Sequence, residues 1–124
     1  MIIAVDFDGT CVTHEYPKIG REIGAQPVLK KLTGEGHQLI LYTMRSGKEL
    51  EDAVAWFKEN EIELWSINEN PGQKRWTQSP KIYAHLYIDD AALGVPLCKG
   101  LDEFERPFVD WDSVEKLLFS GEVV

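Results

Sequence analysis

Ile2-Ile3-Ala4-Val5-Asp6-Phe7-Asp8-Gly9-Thr10 opens the chain with an apolar run that closes in two carboxylates and a glycine. A short run of Ile, Ala and Val reads as a buried strand of the kind that parallel sheets use. Successive strand side chains point to opposite faces, so Asp6 and Asp8 share a face while Phe7 packs on the other, and Gly9 lets the chain turn. In open α/β sheets ligands bind beyond the carboxyl ends of the strands, which is where these two acids stand. At ordinary residue frequencies a D-x-D-G-T string arises by chance in roughly one chain of this length in a thousand, so the pattern reads as a site rather than as an accidental acidic strand exit.

Outward from this stretch, apolar runs alternate with amphipathic segments. A loop rich in turn residues follows from Gly9 to Gly24, and Pro27 fits the first turn of a helix through Val28, Leu29 and Leu32 that Gly34 and Gly36 terminate. Gln38 to Tyr42 is a second strand ending in Thr43-Met44-Arg45. Ser46-Gly47-Lys48-Glu49 has the form of a capping box, and Leu50, Ala53, Val54 and Phe57 then make one apolar helix face. Ile62 to Ile67 reads as a third strand, Asn68 to Pro80 as a polar loop with a Pro71-Gly72 turn, and Tyr83 to Ile88 as a fourth strand closed by Asp89-Asp90. A short extended segment near Val95 to Cys98 and a last helix from about Asp112 to Phe119, stopped by Gly121, complete the chain. Strands alternating with helices imply a parallel sheet with right-handed crossovers and helices on both faces.

With 124 residues the chain fits one domain, residues 1–124, with one core. Its net charge of −8 disfavours nucleic acid and anionic membrane as partners, because phosphate affinity needs clustered Lys and Arg. There is no apolar run near the ~20 residues that span a bilayer, and a cytoplasmic location is expected. Cys11 and Cys98 make no framework and read as reduced thiols. His14, His37 and His85 lack ligand spacing, and mid-strand His85 reads as a satisfied core histidine. Trp56, Trp65, Trp76 and Trp111 read mostly as core, with Trp76 at the border of a pocket.

Three strands therefore end in candidate groups: Asp6 and Asp8, Thr43, and Asp89 with Asp90. In this arrangement the chain resembles the haloacid dehalogenase-like superfamily of phosphohydrolases. That family's first motif matches Asp6-Phe7-Asp8-Gly9-Thr10, its second, a Thr closing an apolar strand, matches Leu39-Ile40-Leu41-Tyr42-Thr43, and its fourth, an acidic pair closing another, matches Leu86-Tyr87-Ile88-Asp89-Asp90. The likeness runs from Met1 to about Gly94. It implies a Rossmann-like three-layer α/β domain with strand order 3-2-1-4-5, small and without a cap, because neither gap between motifs has room for one.

The resemblance makes Asp6 the nucleophile of a phosphomonoester hydrolysis that passes through an aspartyl-phosphate. Asp8, on the same face, would protonate the leaving oxygen and then deprotonate water. Such neighbouring anions need a cation, and Mg²⁺ suits Asp6, the Asp8 carbonyl and Asp89, with Asp90 in direct or water-mediated support. Thr43 would donate its hydroxyl to a phosphate oxygen, with Gly9, Thr10 and Met44 lining the cradle and Arg45 forking onto a phosphate or carboxylate. The family's third motif supplies a Lys or Arg; Lys81, eight positions before Asp89, is preferred to Lys74 and then Arg75. The expected partner is a small-molecule phosphate ester, with the Val12 to Ile23 loop as a flap over it; a homo-oligomer is compatible with this reading. The alternative is a non-catalytic phosphate-binding or phospho-acceptor module on the same fold.

Overall fold

The computed structural model describes residues 1–100 and 105–120. The apolar runs form a parallel sheet of β1 (Ile2–Val5), β2 (Gln38–Leu41), β3 (Ser66–Ile67) and β4 (Leu86–Ile88), in the order β3-β2-β1-β4. β1 is central because it is apolar on both faces: Ile3, Ala4 and Val5 are all buried. It registers Ile3 against Leu39 on one side and against Leu86 on the other.

Helices α1 (Ala25–Gly34) and α2 (Gly47–Glu59) connect β1 to β2 to β3. Both steps move the same way across the sheet, so right-handed crossovers lay both helices on one face. There Val28, Leu29 and Leu32 of α1, and Ala53, Trp56 and Phe57 of α2, form one core with Ile3, Val5, Phe7, Leu39, Leu41 and Ile88. Phe7 meets Trp56 edge-on at 5.6 Å between ring centroids. α3 (Trp111–Phe119) joins the same core through Trp111, Val114 and Leu118. Its start is capped by Asp110, whose carboxylate accepts from the Ser113 amide and hydroxyl.

Helices on both faces are not what forms. The return from β3 to β4 must cross the opposite face, and it does so without a helix. Ala4 and Ile40, which point that way by strand alternation, are buried together with Ile82 and Ala84 of the connection, outside the main core. Two buried amides replace the hydrogen bonds that a helix would have supplied. Asn70 donates to the Tyr83 carbonyl at 2.9 Å and accepts from the Gly72 amide, while Gln73 donates to the Ser79 and Lys81 carbonyls and accepts from the Tyr83 amide. Every polar atom of these side chains is thereby used, which lets an irregular segment lie against a sheet.

The segment expected as a further strand, near Val95 to Cys98, does form one, β5 (Leu97–Cys98), but it pairs antiparallel with β6 (Phe108–Val109) in a small separate sheet. The third and fourth strands are shorter than the apolar runs around them. Ser46 stands at the N-cap of α2 yet makes no side-chain cap bond, so the capping box is not formed. His85 is exposed and precedes β4; its Nδ1 accepts from the Ile2 amide at 2.8 Å, so it is satisfied but not core. Gly121 lies outside the described residues. Among those residues no helix is long and apolar enough to cross a membrane.

Candidate functional site

Asp6 continues the β1 ladder by donating its amide to the Ile88 carbonyl at 2.9 Å, and the chain then folds tightly back as the Phe7 carbonyl accepts from the Thr10 and Cys11 amides. Gly9 sits at φ +81°, in the left-handed region, and a Cβ there would run into the ring of His14 well inside van der Waals contact. Two independent constraints thus demand glycine at this position. The turn tucks Thr10 completely out of solvent beneath the acids. Its hydroxyl donates to Asp6 Oδ2 at 2.8 Å and accepts from the Asp90 amide at 3.0 Å.

At the sheet's C-terminal edge the strand ends line up as the sequence implies. Asp6, Asp89 and Asp90 each offer a carboxylate oxygen within 4.8 Å of the others. Burial pushes the Asp6 carboxyl up to about 8; the Thr10 hydrogen bond opposes the shift and the Asp89 charge adds to it. A proton or a cation is needed to hold these carboxylates together. The donor set is all oxygen and mostly anionic, which fits a hard divalent cation such as Mg²⁺ and does not fit a thiophilic one.

Thr43, two residues past β2, accepts the Arg45 amide at 3.1 Å on its Oγ1, leaving its hydroxyl proton for another acceptor. It is fastened by Asn68, whose side chain accepts from the Thr43 amide at 2.8 Å and donates to the Thr43 carbonyl at 3.0 Å. Asn68 holds φ +53°, a conformation that Asn tolerates better than most residues. Met44, beside them, is 99% exposed and free to meet a ligand.

Arg45 is a correction. The sequence offers it to a substrate, but its side chain is 1% exposed and forks onto Asp8, with Nε to Oδ2 at 2.8 Å and Nη2 to Oδ1 at 2.7 Å. Its remaining N–H groups donate to the carbonyls of Pro17, Glu49 and Lys18. A guanidinium has five N–H donors, and none is left for a ligand. Lys81 is exposed and, with Trp76, Tyr83 and Tyr87, lines a groove of about 380 Å³ on the helix-free face. Among the described residues neither Lys81 nor Lys74 forms an ion pair with the acids.

Sequence reasoning passed over His14 and Trp111. His14 Nε2 lies 2.7 Å from Asp90 Oδ2, which ties the loop after the first motif to the acid pair. The Trp111 indole donates to the Thr10 carbonyl at 2.6 Å, and the Val109 amide donates to the Gly9 carbonyl at 3.0 Å. Spacing gave no signal for either residue, because both contacts are made across the fold. The Val12 to Ile23 segment is fastened rather than free-standing: the Thr13 amide donates to the Arg21 carbonyl, the Arg21 amide to the Thr13 hydroxyl, and Arg45 holds Pro17 and Lys18. Cys11 is buried, with its thiol pushed well up by burial, so it is no nucleophile.

With the fold and site described, a likeness among solved structures can be placed. A conserved protein from Bacteroides thetaiotaomicron is 37% identical, covering 95% of this chain and 88% of its own, with a TM-score of 0.76. The chain belongs to the same family as that protein. No family model and no curated protein matches the sequence. The kinship therefore fixes fold and descent, while chemistry has to be argued from the site.

Proposed function

We propose that the chain is a Mg²⁺-dependent phosphomonoester hydrolase that acts through an aspartyl-phosphate on Asp6, with a small phosphorylated metabolite as substrate. The observation that carries this reading is the convergence of Asp6, Asp89 and Asp90 within 4.8 Å at the ends of two adjacent parallel strands. Asp6 Oδ would attack phosphorus while the ester P–O bond breaks, and Asp8 would give its proton to the leaving oxygen. Asp8 would then take a proton from water as the water oxygen attacks phosphorus and the acyl-phosphate P–O bond breaks, which restores Asp6 and releases phosphate. The Arg45 fork occupies two of the roughly four lone-pair positions of the Asp8 carboxylate and leaves the others for this proton.

Asp6, the Asp8 carbonyl, Asp89 and Asp90 would hold the metal, whose chemistry is to neutralise the charge gathered between nucleophile and phosphate. The Thr43 hydroxyl would donate to a phosphate oxygen, with Gly9, Thr10 and Met44 around it and Lys81 supplying the opposing cation. We further read the domain as capless and the protein as cytoplasmic, for which the two free cysteines speak.

The test is turnover of p-nitrophenyl phosphate with Mg²⁺ and with EDTA. Multiple turnovers that need Mg²⁺, and that vanish in Asp6→Asn, support the reading. Binding of phosphate without turnover would move the chain to the non-catalytic alternative.

A further inference from the structure

Burying a guanidinium is costly unless every donor is met, and Arg45 meets all of its own with three separate parts of the chain. Two donors go to Asp8 of the first motif, one to the Glu49 carbonyl in the first turn of α2, and two to the Pro17 and Lys18 carbonyls of the loop. Its guanidinium carbon also stands over two rings, 5.0 Å from the Phe7 centroid and 5.2 Å from that of Tyr16. The loop is tied on its other shoulder by His14 to Asp90.

We propose that Arg45 is a positioning residue that locks the Asp8 carboxylate and the 14–18 stretch into one rigid wall of the site, an inference that rests on the phosphohydrolase reading above. A lysine in its place would bring the charge but neither the planar fork nor the donors. Asp8 would then be free to rotate, and the carbonyls of Pro17 and Lys18 would lose their common anchor. Proton transfer at the leaving oxygen depends on where the carboxylate stands, and a displacement of 1 Å costs on the order of 100-fold in rate.

The experiment uses the full chain with Mg²⁺ and an alkyl phosphate such as glycerol 2-phosphate, whose poor leaving group needs the proton of Asp8, each variant first checked by circular dichroism. Arg45→Ala should lose on the order of 100-fold in kcat, with added guanidinium restoring part of it, and Arg45→Lys should recover less than about a tenth of the loss. In the Asp8→Asn background Arg45→Lys should cost little more, because the group it positions is already disabled. Full recovery by Lys, or losses that add in the double variant, would overturn the proposal while leaving the hydrolase reading intact. A wild-type chain inactive toward every phosphate ester would overturn the hydrolase reading, and the role of Arg45 with it. Should the Arg45 variants fail to fold, hydrogen exchange decides: Asp8→Asn should speed exchange of the loop amides around Lys18, whose N–H bonds the Glu15 carbonyl, by tenfold or more relative to wild type. Unchanged protection there would sink the coupling between acid and loop.

Discussion

Gly9→Ala tests the site's architecture through stability alone. The substitution has two separate costs. Forcing an L side chain to φ +81° costs about 1–2 kcal/mol wherever it happens. The new methyl also overlaps the ring of His14 at three of its atoms, so rotating the tip cannot relieve it and the ring must leave. That movement breaks the contact between His14 and Asp90, a hydrogen bond to a charged group worth about 1.5–3 kcal/mol. The sum is about 3–5 kcal/mol, which for a domain of this size lowers Tm by roughly 10–20 °C.

The two costs separate in a double-mutant cycle. His14→Ala removes both ring and contact, so Gly9→Ala made in that background should cost only the backbone term of about 1–2 kcal/mol. Urea denaturation of the four proteins in EDTA gives the cycle directly. A Gly9→Ala cost that is the same, within about 0.5 kcal/mol, with and without His14 would refute the placement of the ring over the turn.

Three further outcomes follow from the same geometry. Folding raises the Asp6 carboxyl from its ordinary value of 3.8 to about 8, so the stability it contributes is full below pH 4 and is lost as pH rises through 8. In EDTA the chain should therefore melt progressively lower between pH 4 and 8, and Mg²⁺, taking the proton's place, should raise Tm more at pH 8 than at pH 5; equal increments at the two pH values would count against a metal on Asp6. Asp89→Asn should raise the Mg²⁺ concentration for half-maximal activity by tenfold or more, since a hard cation loses an anionic ligand, and an unchanged value would remove Asp89 from the site. Lys81→Ala should cost more in kcat than Lys74→Ala, and the reverse order would move the phosphate-binding cation to Lys74.

The strand ends were legible because each announces itself locally: an apolar run that closes in Asp, Thr or Asp-Asp has few readings other than a parallel strand meeting a site. α1 was equally plain, with Pro27 early, Gly34 as its last residue and Gly36 just past its end. The crossing from β3 to β4 was not. Its polar composition reads as a solvent loop, yet Asn70 and Gln73 are buried in it, because an amide that satisfies backbone groups on both sides looks in sequence like any surface amide. Arg45 failed for the related reason that its partner lies 37 positions away, and a cation next to a strand-ending Thr looks the same whether it faces substrate or Asp8. The capping box was a local pattern that the fold does not use, since Ser46 stands at the N-cap of α2 without a side-chain cap bond.

Chemistry and support come from different parts of the chain. Asp6, Thr43, Asp89 and Asp90 stand just past the ends of β1, β2 and β4, whose backbone pairing brings those ends to one edge. The turn that carries Gly9 and Thr10 has no sheet partner, and its carbonyls are held by Val109 and Trp111 from the C-terminal segment, which bears no motif of its own. Thr10 in turn meets Asp6 and Asp90 with a single hydroxyl. Any shift of α3 would pass through Trp111 to that hydroxyl and from there to both acids. A segment that looks like filler in the sequence thus supports the turn whose Thr10 bonds both Asp6 and Asp90, because close-packed contacts transmit displacement rather than absorb it.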